Sequence, residues 1–194
     1  MSELDEIDNV VEFPSAAEHS YSRPAFGTWN TETESAAEFD RRVDACGLFA
    51  RNYKEVTGYL LARRPNRQNK DTRIDRILMP GPDLVKAGWT QDIGVELKRS
   101  GEKLGPALAQ AIDYTWCAWN VGHHWLMLEH VFLWPFPKQG GAPESIMLQN
   151  GCGVIFETRN SPLVFQLEKQ VIRIERDKSF TVQPTNSGRK VGSR

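Results

Sequence analysis

Two acidic residues and one lysine, at the spacing of strand residues, are the groups in this chain best suited to chemistry. Glu96 and Lys98 lie two residues apart, and Asp75 lies in an earlier apolar stretch. Alternate side chains of a strand point to the same face, so Glu96 and Lys98 share a face. Two carboxylates and an ammonium group that meet on a sheet could bind a divalent cation and act on a phosphodiester.

The expected strand pairing brings the two acids together. The apolar stretches 72–79 and 92–98 are joined by a short connection, which predicts antiparallel neighbours. A register in which the strand ends beside that connection face each other places Asp75 opposite Glu96, at ~5 Å between their Cβ atoms. Carboxylates that close repel unless a positive group lies between them. The sequence therefore predicts a Mg²⁺ or Mn²⁺ site, where Lys98 orients or deprotonates water or stabilises charge on a phosphate.

A predicted helix over residues 106–119 adds two polar side chains to this arrangement. Gln110 and Tyr114 are separated by four residues and so lie on one helix face. An acid on one strand, Glu-x-Lys on the next and Gln-x-x-x-Tyr on the following helix form a pattern. With it, the chain resembles the PD-(D/E)XK nuclease superfamily, in its RecB-type branch. The resemblance covers about residues 35–135 and implies a restriction-endonuclease-like fold with DNA as the substrate.

The resemblance also implies roles for individual residues. Asp75 and Glu96 would bind Mg²⁺ (or Mn²⁺), Lys98 would position the attacking water, and Gln110 and Tyr114 would support the site or the substrate. Some family members carry a further metal-binding acid on the first helix.

Glu38 is the candidate for that further acid, and a second interpretation of it stays open. Ser35 and Glu38 have the spacing of a capping box, which predicts a helix start near Ser35. The stripe Phe39, Val43, Cys46 and Phe49 then recurs at helical spacing.

The first acid of the motif has two rivals. The literal Pro-Asp dipeptide is Pro82-Asp83, but Asp83 belongs to the connection between the strands. Several residues at ~3.3 Å each separate it from Glu96, which is too far for the two acids to share a metal. Asp71 lies at the start of the strand. We therefore favour Asp75.

Basic residues cluster before and after the predicted site. They form either a phosphate-binding surface or a solvated turn. Lys103 lies near a helix start, where the helix dipole also favours phosphate. The candidate nucleic-acid contacts are Arg63, Arg64, Arg67, Lys70, Arg73, Arg76, Arg99 and Lys103. Three histidines, His123, His124 and His130, lack cysteine or carboxylate partners at zinc-site spacing.

Length and composition predict a protein with a single domain that resides in a reducing compartment. The chain has 194 residues and three scattered cysteines, which argues against a disulfide framework and favours a cytoplasmic protein. Residues 1–20 hold six acids and no Lys or Arg, so the net charge of −1 leaves +5 for residues 21–194. We predict a disordered acidic tail over 1–30, a single domain over 31–183 and a flexible basic tail over 184–194. No apolar run reaches the ~20 residues of a membrane span.

The order of predicted elements indicates a mixed α/β fold: a restriction-endonuclease-like sheet flanked by helices, with extra C-terminal strands. The function expected is a Mg²⁺-dependent DNA nuclease, such as a stand-alone enzyme of a phage or mobile element. Two alternatives stay open: a non-catalytic DNA-binding or interaction module on the same fold, and a nuclease acting on RNA or on junctions. Restriction-like folds often pair to cut both strands, so a homodimer also stays open.

Overall fold

The computed structural model describes residues 29–61, 71–99, 102–136 and 142–185, which fold into a mixed α/β arrangement. Within these ranges the chain forms four helices and one sheet of ten strands. The helices are α1 Glu32–Cys46, α2 Pro82–Lys86, α3 Leu104–Tyr114 and α4 Ala142–Gln149. The strands are β1 Phe49–Leu60, β2 Asp71–Pro80, β3 Ile93–Leu97, β4 Cys117–Val121, β5 His124–Met127, β6 His130–Trp134, β7 Gly153–Phe156, β8 Leu163–Gln166, β9 Gln170–Ile174 and β10 Phe180–Pro184.

The strand order places β2 and β3 in the interior of the sheet. The order is β10-β9-β8-β7-β6-β3-β2-β1-β4-β5. The β3–β6 and β6–β7 pairs are parallel, and the other pairs are antiparallel. Helices cover both faces of this region, so all five residues of β3 are buried. Glu96 is therefore a carboxylate in a strand that is otherwise apolar.

Helices pack on opposite faces of the sheet. On the first face, Ala107 and Ala111 of α3 and Met147 of α4 belong to one apolar cluster. On the second face, Phe39 and Val43 of α1 are buried, as their helical spacing predicted. The α3 face carries the polar groups of the predicted site, and α1 closes the other face.

The first helix begins four residues earlier than its pattern predicted. Thr31 is the N-cap, and its hydroxyl accepts the backbone N–H of Glu34. The Glu34 carboxylate in turn accepts the backbone N–H of Asn30. Ser35 is fully buried inside the helix. The capping box predicted at Ser35 and Glu38 is therefore wrong, because a second hydroxyl and acid upstream perform that role.

Other boundaries also differ from the sequence prediction. The helix predicted over residues 106–119 ends at Tyr114, and Trp119 lies in β4, with its ring centroid 5.1 Å from that of Tyr114. β1 begins at Phe49 rather than at residue 55, so Phe49 belongs to this strand and not to the predicted helical stripe, which ends with α1 at Cys46. α4 and β10 follow no pattern identified in the sequence, and β10 extends to Pro184, the first residue of the predicted basic tail. The rest of that tail from residue 186, and the predicted acidic tail up to residue 28, lie outside the described residues.

None of the helices in the described ranges is both long enough and apolar enough to span a membrane.

Candidate active site

Strands β2 and β3 bring Asp75 and Glu96 together. The two strands are antiparallel, and their paired residues include Arg76 with Val95. One step further in the same register, Asp75 lies opposite Glu96. The predicted pairing and register of these strands are confirmed. The Asp75 charge is also among the causes that raise the pKa of Glu96, as expected of two neighbouring carboxylates.

The Asp75 carboxylate is held by the backbone of the neighbouring strand. Its Oδ2 atom accepts the Leu97 N–H at 2.7 Å, beyond the last backbone pair of β2 and β3. Burial raises the pKa of Asp75, and the nearby Glu55 charge adds to this effect, whereas the Leu97 hydrogen bond lowers the pKa. The net shift of the pKa is upward, so the surroundings disfavour the ionised carboxylate.

Glu55 marks an irregularity in β1 beside this position. Its φ of 52° is in the left-handed region, which costs free energy for a residue with a side chain. The β1–β2 pairing includes Lys54 with Arg76 and Val56 with Ile74, and so skips the step at Glu55. The interruption lies directly across from Asp75. Strained backbone of this kind often accompanies functional sites.

Glu96 is a buried acid with one satisfied oxygen. Its Oε1 atom accepts a hydrogen bond from Lys98 Nζ at 2.8 Å. In the described part of the chain, Oε2 is buried and has no hydrogen-bond partner. Burial and the Asp75 charge raise the pKa of Glu96 to about 8, against the opposing effect of Lys98. An unpaired buried carboxylate oxygen is costly, so this atom needs a positive or proton-bearing partner.

Lys98 connects the strand to α3. Besides Glu96, its Nζ donates to Gln110 Oε1 at 3.1 Å and lies 3.7 Å from a Glu102 carboxylate oxygen. Burial lowers the pKa of Lys98, but the hydrogen bond and charge of Glu96 raise it more, so the net shift is upward. Lys98 is therefore a charged hydrogen-bond donor in this geometry rather than a base.

Gln110 and Tyr114 extend this chain of hydrogen bonds to β2. The Gln110 amide N–H donates to the Tyr114 hydroxyl. That hydroxyl donates to the backbone carbonyl of Arg73 at 2.6 Å. The two residues lie one turn apart on α3, as predicted, and they hold Lys98 on one side and β2 on the other. Their geometry is that of positioning groups.

Glu38 points to a different set of partners. Its carboxylate accepts hydrogen bonds from Arg41 and Arg42, the latter at 2.6 Å. Arg42 continues to Glu157 at 3.0 Å. These ion pairs tie α1 to the end of β7, so Glu38 has a structural explanation in place of the expected metal role.

Glu32 of α1 affects the candidate site through its charge. It lies in the first turn of the helix, and its charge contributes to raising the pKa of Glu96. Glu32 belongs to no motif and precedes the predicted helix start, so no sequence pattern pointed to it. Its proximity follows from the packing of α1 over β3.

The two rivals of Asp75 are both exposed. Asp83 lies in the first turn of α2, beyond the C-terminal end of β2, whereas Asp75 lies in the middle of that strand. Asp71 pairs with Tyr59 at the start of β2, four residues before Asp75. Asp75 is the one held against β3.

The basic residues divide into surface and buried groups. Arg73, Arg99 and Lys103 are exposed, and Lys103 lies at the N-cap position of α3. Arg76 is only 5% exposed, and its guanidinium binds both oxygens of Asp40 under α1. The expected phosphate contact of Arg76 therefore has no surface from which to act. The remaining candidates, Arg63, Arg64, Arg67 and Lys70, lie outside the described residues.

Two carboxylates of the site, those of Asp75 and Glu96, are available to a divalent cation. In the ranges that the structure describes, no group of three or more His, Cys, Asp or Glu side chains is arranged to hold a metal ion. Mg²⁺, however, is often bound by one or two carboxylates with water completing its coordination. Asp75 and Glu96 Oε2, which has no hydrogen-bond partner among the described residues, supply two such ligands, so the residues present fit this ion.

Comparisons with protein-family models, with curated proteins and with solved structures found no match to this chain.

Proposed function

We propose that this protein is a metal-dependent deoxyribonuclease that hydrolyses phosphodiester bonds. One observation carries the proposal: in the described part of the chain Glu96 Oε2 is buried without a hydrogen-bond partner beside Asp75, while Lys98 holds the other Glu96 oxygen. A buried acid and a part-buried acid beside one lysine are a costly arrangement for a purely structural role. Groups with strongly shifted pKa values and specific partners are characteristic of functional sites.

Each residue has a defined task in this proposal. Asp75 and Glu96 would hold Mg²⁺ or Mn²⁺, and the Leu97 N–H fixes the orientation of Asp75. A bound divalent cation supplies a lowered pKa for its water ligand and charge neutralisation on the phosphate. Lys98, protonated and held by Gln110, would donate a hydrogen bond to the attacking water or to a phosphate oxygen.

The specificity for a nucleic acid is supported by exposed cations near the site. Arg99 follows Lys98 directly, and Lys103 lies at the start of α3. Cations and helix N-termini are common phosphate-binding groups. These residues would position the backbone of the substrate without selecting its sequence.

The test is cleavage of linear double-stranded, circular single-stranded and nicked DNA with Mg²⁺ or Mn²⁺. Wild-type protein is compared with Lys98→Ala and Asp75→Asn, and Lys86→Ala serves as an exposed lysine control on α2. We expect metal-dependent cutting that is lost in the two site variants and kept in the control. DNA binding without cutting in any condition would instead favour a non-catalytic DNA-binding module.

A further inference from the structure

The ammonium group of Lys98 has one hydrogen-bond donor more than it uses. A lysine ammonium group carries three N–H donors and no acceptor. In the described ranges, Nζ donates to Glu96 Oε1 at 2.8 Å and to Gln110 Oε1 at 3.1 Å. The third donor can therefore serve a further acceptor at the candidate active site.

A carboxylate lies beside the same ammonium group, beyond hydrogen-bond distance. Glu102 Oε1 is 3.7 Å from Lys98 Nζ, whereas a hydrogen bond from a charged nitrogen to a carboxylate oxygen measures ~2.7–2.9 Å. The contact is thus an ion pair held by charge. It attracts the ammonium group without satisfying the third donor.

The partners of Lys98 differ in how firmly they are held. The Glu96 side chain is 6% exposed, and Gln110 is bonded in turn to Tyr114. The Glu102 side chain is 32% exposed and precedes the N-cap position of α3. Ion pairs that are open to solvent contribute little, because holding a long side chain in one geometry costs entropy. Glu102 is therefore the partner of Lys98 that can leave.

The chain around Glu102 is suited to an anion. Glu102 is the single acid in the stretch 98–103, which also carries Lys98, Arg99 and Lys103. Arg99 and Lys103 are exposed, and the Arg99 carbonyl accepts the Glu102 N–H at 3.3 Å. Cations of this kind are the usual partners of phosphate groups. A carboxylate of the protein itself thus lies beside the lysine that the substrate phosphate requires.

We propose that Glu102 occupies the phosphate subsite of Lys98 in the free protein and is displaced when a phosphodiester binds. A phosphate oxygen at hydrogen-bond distance takes the third donor of Lys98 in exchange for an ion pair at 3.7 Å. The carboxylate then turns to solvent, because the bound phosphate repels it. This inference rests on the proposed nuclease function. It names the place of the substrate phosphate, beside Lys98 Nζ, and a residue that sets substrate affinity.

Removal of the competing anion should strengthen substrate binding and leave the chemical step unchanged. Glu102 contacts Lys98 only in the free protein in this proposal, so Glu102→Gln should lower KM without changing kcat. We expect the Kd for DNA to fall by about two- to fivefold, because one partly exposed ion pair no longer has to be broken.

The test measures DNA binding and cleavage by the full chain. Fluorescence anisotropy gives the Kd of a short labelled oligothymidylate and of a short duplex, with Ca²⁺ in place of Mg²⁺, and cleavage rates in Mg²⁺ give KM and kcat. Glu102→Asp keeps the charge but is one methylene shorter, so it should lose the contact and bind as Glu102→Gln does. Glu168→Gln, at an exposed position between β8 and β9, is the matched control and should keep the wild-type Kd.

Three results would overturn the inference. They are an unchanged Kd in Glu102→Gln, a wild-type Kd in Glu102→Asp beside tighter binding by Glu102→Gln, or an equal gain from Glu102→Gln when Lys98→Met has removed the cation. Cutting with an unchanged KM in Glu102→Gln would refute the role of Glu102 alone. Tighter binding by Glu102→Gln in a protein that cuts no DNA would refute the nuclease alone, and binding of neither probe would refute both.

Discussion

The Asp75 carboxylate accepts the backbone N–H of Leu97 at 2.7 Å, immediately beyond the last pair of the β2–β3 ladder. A side-chain oxygen thus stands where a backbone acceptor would continue the ladder. This bond holds Asp75 beside Glu96 and links its orientation to the integrity of β3. It also means that charge and hydrogen bonding at Asp75 can be separated by mutation.

The first prediction concerns Asp75→Asn. The amide oxygen of asparagine can keep the Leu97 bond while the negative charge next to Glu96 is removed. Thermal stability should therefore be kept or increased, whereas calorimetric Mn²⁺ binding should be lost. Asp75→Ala is the matched variant and should lower stability by ~1 kcal/mol or more, because the buried N–H loses its acceptor. Undiminished Mn²⁺ binding in Asp75→Asn would exclude this residue as a ligand.

The second prediction concerns Lys98→Met, which keeps an unbranched stem without the charge. Lys98 donates to both Glu96 and Gln110, so its loss removes the positioned donor. We expect DNA cleavage to fall by ~10²-fold or more, the usual range for removal of one positioned hydrogen-bond donor to a developing charge. The readout is the initial rate on the best substrate, beside Lys86→Met. A rate within twofold of wild type would contradict the assigned role.

The third prediction concerns Tyr114→Phe. The tyrosine hydroxyl donates to the Arg73 carbonyl at 2.6 Å and accepts from Gln110. Its removal leaves two part-buried polar groups without their partner, which should cost ~1–3 kcal/mol in urea unfolding. Cleavage should fall more than Mn²⁺ affinity, because the change loosens Lys98 through Gln110. Gln110→Ala should show the same ratio of effects; equal losses of rate and metal affinity would argue for a direct role at the metal.

The fourth prediction concerns the pH dependence of stability. Burial opposes ionisation of Asp40, but hydrogen bonds from Arg76, Lys54 and Asn52 outweigh it and lower its pKa to about 2. A carboxyl group with a lowered pKa stabilises the fold fully above its unfolded pKa of 3.8. That contribution should disappear as the pH falls from 3.8 through about 2.

The check is a comparison of urea unfolding between pH 6 and pH 2 for wild type and Asp40→Asn. The variant leaves the buried Arg76 guanidinium without its anion, at a cost of ~3–5 kcal/mol at pH 6. The difference between the two proteins should shrink towards pH 2. A constant difference over this range would show that the Asp40 charge does not stabilise α1 against the sheet.

The fifth prediction concerns the strained backbone of Glu55. Glycine adopts its φ of 52° without a steric cost, whereas alanine does not. Glu55→Gly should therefore be more stable than Glu55→Ala by ~1 kcal/mol, with the loss of the exposed Arg73 ion pair common to both. If the two variants unfold at the same urea concentration, the left-handed conformation is not a source of strain.

The juxtaposition of Asp75 and Glu96 could be predicted from the sequence because it depends on local rules. Strand alternation and a short connection fix which residues of β2 and β3 face each other. The four-residue spacing of Gln110 and Tyr114 fixes their common helix face. These relationships are properties of single elements or of neighbours in the chain.

The features that the sequence did not reveal depend on contacts between distant segments. The stretch 116–119 has residues that a helix accepts, but pairing with β1 makes Cys117, Ala118 and Trp119 part of a strand. Glu32 approaches Glu96 because α1 packs over β3. Arg76 of β2 is buried under the same helix, where it binds Asp40. Tertiary packing decides such cases over local preference.

The parallel pairing of β3 with β6 has a consequence for the order in which the protein can fold. The backbone N–H of Lys98 donates to the Trp134 carbonyl at 2.7 Å. The chain between these residues forms α3, β4 and β5, so this segment must be present before β6 can pair with β3. Pairings this distant in sequence form slowly. During synthesis, a nascent chain that ends before Trp134 contains every residue of the candidate active site but not the strand that completes it. The candidate active site would therefore be completed late, only once β6 has joined β3 in the sheet.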